Sequence, residues 1–177
     1  MSKNRKRMHP VKAFFRAVLK PFSFIPAILV MVMIFHFSSQ PGRDSDALSR
    51  AVSHKIVVAV DRVLDRDWDD GRIEHYTDKI NYYVRKGAHV TEYFILAACV
   101  ALPLYVYGIR GIALILLAGA ICAAYAGLDE YHQSFVAGRG PSLRDVGIDC
   151  IGVLPGILLT MMVGAIGRKT IFRPLAR

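Results

Sequence analysis

Four stretches of this 177-residue chain, at 22–37, 87–107, 112–128 and 146–166, are apolar almost without interruption. A helix needs about 20 apolar residues to cross a hydrocarbon layer roughly 30 Å thick, so each approaches or reaches spanning length. "IALILLAGAICAAYAG" has no polar face that a soluble bundle would turn to water. The pattern predicts an all-α fold, a four-helix transmembrane bundle. Between the first two stretches the periodicity changes. In "DALSRAVSHKIVVAVDRVLDRDWDD", Leu48, Val52, Ile56, Val60, Val63 and Leu64 recur at helical spacing with charges between them. This predicts an amphipathic helix between spans one and two, its apolar face on the membrane surface or roofing the bundle, with Trp68 suited to an interface. Pro103 and Pro155 fall inside spans and predict kinks.

A hydrophobic content of 54% and a mean hydropathy of +0.35 exclude an ordinary soluble domain. The net charge of +9 adds an orientation, because it is unevenly placed. Seven Lys and Arg precede the first span, Arg110 lies between spans two and three, and four more follow span four, with no Asp or Glu among them. The segment 40–86 instead balances nine basic against nine acidic residues. Positive residues are retained in the cytoplasm. Both termini are therefore expected there, and the amphipathic helix is expected to be extracytoplasmic. The resulting layout is a basic N-terminal segment 1–21, a membrane domain 22–166 and a basic tail 167–177. The basic excess fits contact with membrane lipids and no nucleic acid. The first span is read as an uncleaved anchor, since "FSS" is a poor signal-peptidase site. Cys99, Cys122 and Cys150 lie in or at the edge of spans without CxxC spacing, so neither a disulfide framework nor a cysteine metal site is expected.

With that topology, the end of span one, the start of two, the end of three and the start of four meet at one face. They carry "FHFSSQPG", "RKGAHVTEYF", "GLDEYHQ" and "SLRDVGIDCIG". Ionisable residues at or inside spans are expensive and mark function by default. Lys86, His89 and Tyr93 share a helical face with Glu92 on its flank; Asp129 and Glu130 pair in phase with Gln133; Asp145 and Asp149 continue a stripe through Gly152 and Gly156. Small residues let helices approach, so that stripe is expected to face the interior, matched in span three by Gly119, Ala123 and Gly127.

Together, "FSSQ", "KGAHVTEYFIL" and "DEYHQSFVAGRGPSLRDVGIDCIG" resemble the VanZ-like membrane proteins. The resemblance rests on the combination of K-x-x-H-x-x-E-Y, D-E-x-x-Q, G-R and R-D-x-x-x-[ND]-x-x-G in that order. It implies a multi-pass protein of the bacterial inner or plasma membrane, in a group named for low-level resistance to the glycopeptide teicoplanin. The chain departs from the family pattern at Asp149, commonly Asn, and at Ala137, commonly Pro, and its segment between spans one and two is long.

The expected pocket comprises Lys86, His89, Glu92, Tyr93, Asp129, Glu130, Gln133, Arg139, Arg144, Asp145 and Asp149. Lys and Arg suit phosphate or carboxylate oxygens, while His89 and the carboxylates could serve as acid and base. Several readings stay open: turnover or binding of a cell-envelope component such as a lipid-linked precursor headgroup, a link to glycopeptide binding, proton-coupled transport, or charge pairs that only fix helix packing. No catalytic residue is assigned. No cofactor is expected, nor a metal, since His89, Glu92, Asp129 and His132 make only a loose ligand pattern.

Overall fold

The computed structural model describes residues 21–169, with side chains through 166. The basic segments predicted at the two ends lie largely outside them. A 3-10 turn at Pro21–Phe24 leads into α1 (Ile25–Ser38), followed by α2 (Gly42–Leu64), α3 (Asp70–Val106), α4 (Ile112–Gln133) and α5 (Leu143–Lys169), with no strand among the described residues. Four of these helices, all but α2, are long and apolar enough to cross a membrane once the 3-10 turn is counted with α1. The fold is the predicted all-α bundle with an amphipathic helix between spans one and two.

The helices outrun the apolar stretches that announced them. Helix α3 begins at Asp70, capped by the Asp69 carboxylate accepting from the Arg72 N–H at 2.7 Å, and is helical long before hydropathy rises at residue 87. Hydropathy marks where a helix meets hydrocarbon, whereas its ends are set by caps. At 1.5 Å per residue the polar 70–86 portion adds about 25 Å to the span. This extension pairs with α2 as a helical hairpin turned by Asp65 and Asp67, both in left-handed backbone geometry. Trp68 packs on Tyr76 at the hairpin tip, with ring centroids 4.6 Å apart.

The hairpin's seam reverses the expectation for a roofing helix. The buried side of α2 is Ser49, Ser53 and Val57, while Leu48, Val52, Ile56, Val60, Val63 and Leu64 all face outward. Ser53 donates to the Ser49 carbonyl at 2.8 Å, Asn81 Nδ2 of α3 donates to Asp46 at 2.9 Å, and Arg50 bridges Glu74 and Asp78. Small hydroxyl residues that satisfy themselves against their own backbone allow a close, largely polar seam, to which Val57 adds an apolar contact.

Helix α3 is central and touches every other helix, α5 most extensively. The predicted glycine stripe is what brings α5 in. A Cβ at Gly152 would overlap the Val90 carbonyl, and one at Gly156 the Phe94 carbonyl. Span three does not use its glycines in this way. Nothing lies within 4 Å of where a Cβ would stand at Gly119 or Gly127, and the buried face is Leu114, Ala118, Cys122 and Ala126, followed by Asp129, Glu130 and Gln133. Alanine and cysteine are small enough for that contact, and they sit on the face that continues into the polar end. Pro103 and Pro155 lie within continuous helices. On the far side of the core, the Tyr125 hydroxyl donates to the Met31 carbonyl at 2.6 Å, tying α4 to α1.

Candidate functional site

The polar helix ends meet at the foot of the hairpin, and the loop after α4 is stapled there. The Gly42 N–H donates to the Ala137 carbonyl at 3.0 Å, and a Cβ on Gly42 would overlap the Gly138 carbonyl, so only glycine permits this approach. The staple delivers Arg139. Its Nε donates to the Gln40 carbonyl (3.1 Å), Nη2 to the Phe37 carbonyl (3.2 Å) and Nη1 to Gln133 Oε1 (3.0 Å). All three hydrogen-bond partners are neutral, and the carboxylates of Asp129, Glu130 and Glu92 act on the guanidinium only from a distance. Burial lowers its pKa from the ordinary arginine value, and the Arg85 charge adds to the effect; an arginine so perturbed is still a cation at neutral pH.

Arg139 opens onto a cavity of about 210 Å³ together with Arg85, His89, Glu92, Ser38, Gln40, Ser45 and Ser49, with Phe37, Leu48, Val52, Val84 and Ala88 as an apolar wall. Arg85 has a buried Nε without a partner, and its Nη1 is 3.9 Å from Asp46, beyond hydrogen-bonding distance. Among the described residues, neither guanidinium has a carboxylate within hydrogen-bonding distance. His89 Nδ1 stands 3.6 Å from Glu92 and 4.0 Å from Asp149 without a hydrogen bond.

Behind the cavity lies a buried network. Asp129 Oδ2 accepts from Ser38 (3.0 Å) and Gln133 Nε2 (2.9 Å), while its Oδ1 has no partner. Tyr93 is fully buried, 6.4 Å from the Tyr125 ring by centroid, and its hydroxyl is likewise unpartnered. A polar group left so in low dielectric is costly unless something else meets it. Gln133 links this network to Arg139 through its carbonyl oxygen.

The remaining expected residues are placed differently. Lys86 Nζ pairs with Asp145 Oδ1 at 2.6 Å, joining α3 to α5. Glu130 Oε2 accepts from the Ser142 N–H at 2.8 Å, fixing the entry into α5. Asp149 is buried beside His89. Arg144 is exposed on the first turn of α5 and does not line the cavity. The structure thus joins His89, Glu92 and Arg139 at the cavity, backs them with Tyr93, Asp129, Gln133 and Asp149, and uses Lys86, Asp145 and Glu130 as ties.

Sequence reasoning missed Arg85 and the α2 serines. Arg85, His89 and Glu92 stand at i, i+4 and i+7, so the helical phase that singled out Lys86 would also have found Arg85. Ser45 and Ser49 carried no signal, because the apolar face of α2 drew attention away from its small one. Among the described residues no group of His, Cys, Asp and Glu is arranged to hold a metal ion. What the cavity offers is two guanidiniums, that of Arg139 fixed by three hydrogen bonds, a neighbouring His and Glu, and an apolar wall.

No curated protein and no solved structure matches the chain. A family model described as VanZ/LLP1 matches residues 22–164, from the first span nearly to the end of α5, and it takes in every residue of the cavity and of the network behind it. This chain belongs to the VanZ/LLP1 family.

Proposed function

We propose that the cavity binds the anionic headgroup of a membrane amphiphile at the extracytoplasmic face of a bacterial inner or plasma membrane, the natural class being a lipid-linked cell-envelope precursor. The observation that carries this reading is the convergence of Arg85 and Arg139 on one cavity, without a hydrogen-bonded carboxylate on either. Two guanidiniums repel each other and lose hydration when enclosed, a cost that an anion offsets with paired hydrogen bonds. The volume of about 210 Å³ is below the roughly 300–1,000 Å³ that drug-sized ligands occupy. It suits a phosphate with a few attached atoms and not a whole glycopeptide. An effect on teicoplanin susceptibility would then run through the precursor and not through capture of the drug. The His89–Glu92 pair is where turnover would be sought, as a base and acid beside the bound headgroup.

The test is lipid selectivity. Purified protein in phosphatidylcholine nanodiscs should retain spin-labelled phosphatidic acid in preference to spin-labelled phosphatidylcholine, and Arg139→Gln or Arg85→Gln should reduce that preference about tenfold, the equivalent of one lost charge-assisted contact at roughly 1.4 kcal/mol. Equal retention of both lipids by the wild-type protein would refute the reading.

A second reading, proton-coupled transport, draws on Asp129 Oδ1 and the Tyr93 hydroxyl, which are buried and unpartnered one layer deeper. Flux into proteoliposomes that depends on a pH gradient and disappears in Asp129→Asn would select it.

A further inference from the structure

Helix α2 turns an unbroken apolar stripe away from the protein: Leu48, Val52, Ile56, Val60 and Val63 are 59, 44, 42, 39 and 80% exposed. The stripe runs into the cavity, because Leu48 and Val52 also form its apolar wall, opposite Val84 and Ala88. Farther out, Ile56, Val60, Val63 and Leu64 line a wholly apolar depression. From Leu48 to Val63 the helix rises about 22 Å, more than the roughly 15 Å depth of one leaflet.

With α3 upright in the bilayer, hydrocarbon does not cover the whole of this stripe. Helix α3 is continuous from Asp70 to Val106, a length of about 55 Å of which hydrocarbon takes roughly 30 Å. Helix α2 is packed against the excess by the serine seam, so in that orientation its outer turns stand off the membrane. A second copy laid on the stripe would close the mouth of the cavity with apolar surface and leave Arg85 and Arg139 without a hydrogen-bonded anion. One chemistry answers both halves: an anion at the cavity and hydrocarbon continuing from it.

We propose that the ligand is a long-chain lipid phosphate whose headgroup sits between Arg85 and Arg139 and whose hydrocarbon chain leaves the bilayer to lie along Leu48, Val52, Ile56 and Val60 of α2. This rests on the anion-site reading above and goes beyond it by assigning the chain a protein surface. The hairpin then acts as a cradle that lifts a single lipid partly out of the membrane and presents its phosphate to His89 and Glu92.

The test uses the full chain in phosphatidylcholine nanodiscs with phosphatidic acid carrying a diazirine near the end of one acyl chain. After illumination, mass spectrometry should find adducts on α2 between Ile56 and Leu64. Val60→Asp should lower their yield about tenfold while the protein elutes unchanged from gel filtration. Adducts confined to the spans, alongside an intact preference for the anionic lipid, would overturn the cradle and leave the headgroup site standing. Loss of that preference in the wild-type protein would overturn both. In a Val60→Cys variant, quantitative disulfide pairing between copies would assign the stripe to a second copy and also overturn the proposal.

Discussion

Replacing Gly152 by alanine adds one methyl group where the structure has no room for it. A Cβ there overlaps the Val90 carbonyl oxygen, and also stands 2.9 Å from Phe94 N and 3.0 Å from the Val90 carbonyl carbon. All three are backbone atoms of α3, so no side chain can rotate away. The helices must part, and α5 is held to α3 along its length by Gly156 and by Thr160, whose hydroxyl donates to the Ala98 carbonyl at 3.2 Å. Overpacking costs typically 1–3 kcal/mol, and a rigid neighbour puts this site at the upper end, about 2–3 kcal/mol. For a chain of this size that is a fall in Tm of roughly 4–12 °C. Because Asp149 is one turn away, the His89–Asp149 approach of 4.0 Å should widen and lipid selectivity should fall with stability. The assay is thermal unfolding in detergent followed by fluorescence-detected size exclusion, with Gly127→Ala as the control, since nothing lies within 4 Å of a Cβ there. Equal melting of the two variants would refute the packing of α5 through its glycines.

Lys86→Met and Asp145→Asn should each cost about 1–3 kcal/mol, because the pair is mostly buried at 2.6 Å; the double variant should lose less than the sum, as read from a double-mutant cycle of melting temperatures. Glu130→Gln keeps an oxygen to accept the Ser142 N–H and should melt within about 1 kcal/mol of wild type, whereas Glu130→Ala strips that cap and should lose about 1–2 kcal/mol. Ser53→Leu should force α2 from α3 at a fully buried contact, which limited proteolysis would detect as faster cleavage across residues 65–69. A reporter fused after Arg177 should be cytoplasmic and a cysteine at Asp70 should react with an impermeant reagent from outside; the reverse pattern would move the cavity to the other face of the membrane.

The spans are legible in the sequence because a helix that is apolar on every side has to be covered by hydrocarbon, and the α5 glycine stripe is legible because Gly152 and Gly156 share a phase with the buried Asp149. Hydropathy does not reveal helix ends, as the polar first turns of α3 demonstrate. Periodicity locates α2 correctly and leaves open whether its apolar face roofs the bundle or turns outward; the protein uses Ser49 and Ser53 for contact and turns Leu48 and Val52 outward. Arg144 looks equivalent to Arg139 as a border cation. The difference lies in the staple of Gly42 to the 137–138 backbone, a long-range contact that no local pattern encodes.

The proposed headgroup site and the proposed lipid cradle both require an anion held between two arginines. It can be seen directly in an experimental structure of the purified chain in nanodiscs containing phosphatidic acid. Phosphate density is expected within hydrogen-bonding distance of both Arg85 and Arg139, with Arg139 still donating to the Phe37 and Gln40 carbonyls. Arg85 closed onto Asp46 with no density in the cavity, or lipid phosphate bound only at the exposed Arg144, would contradict it.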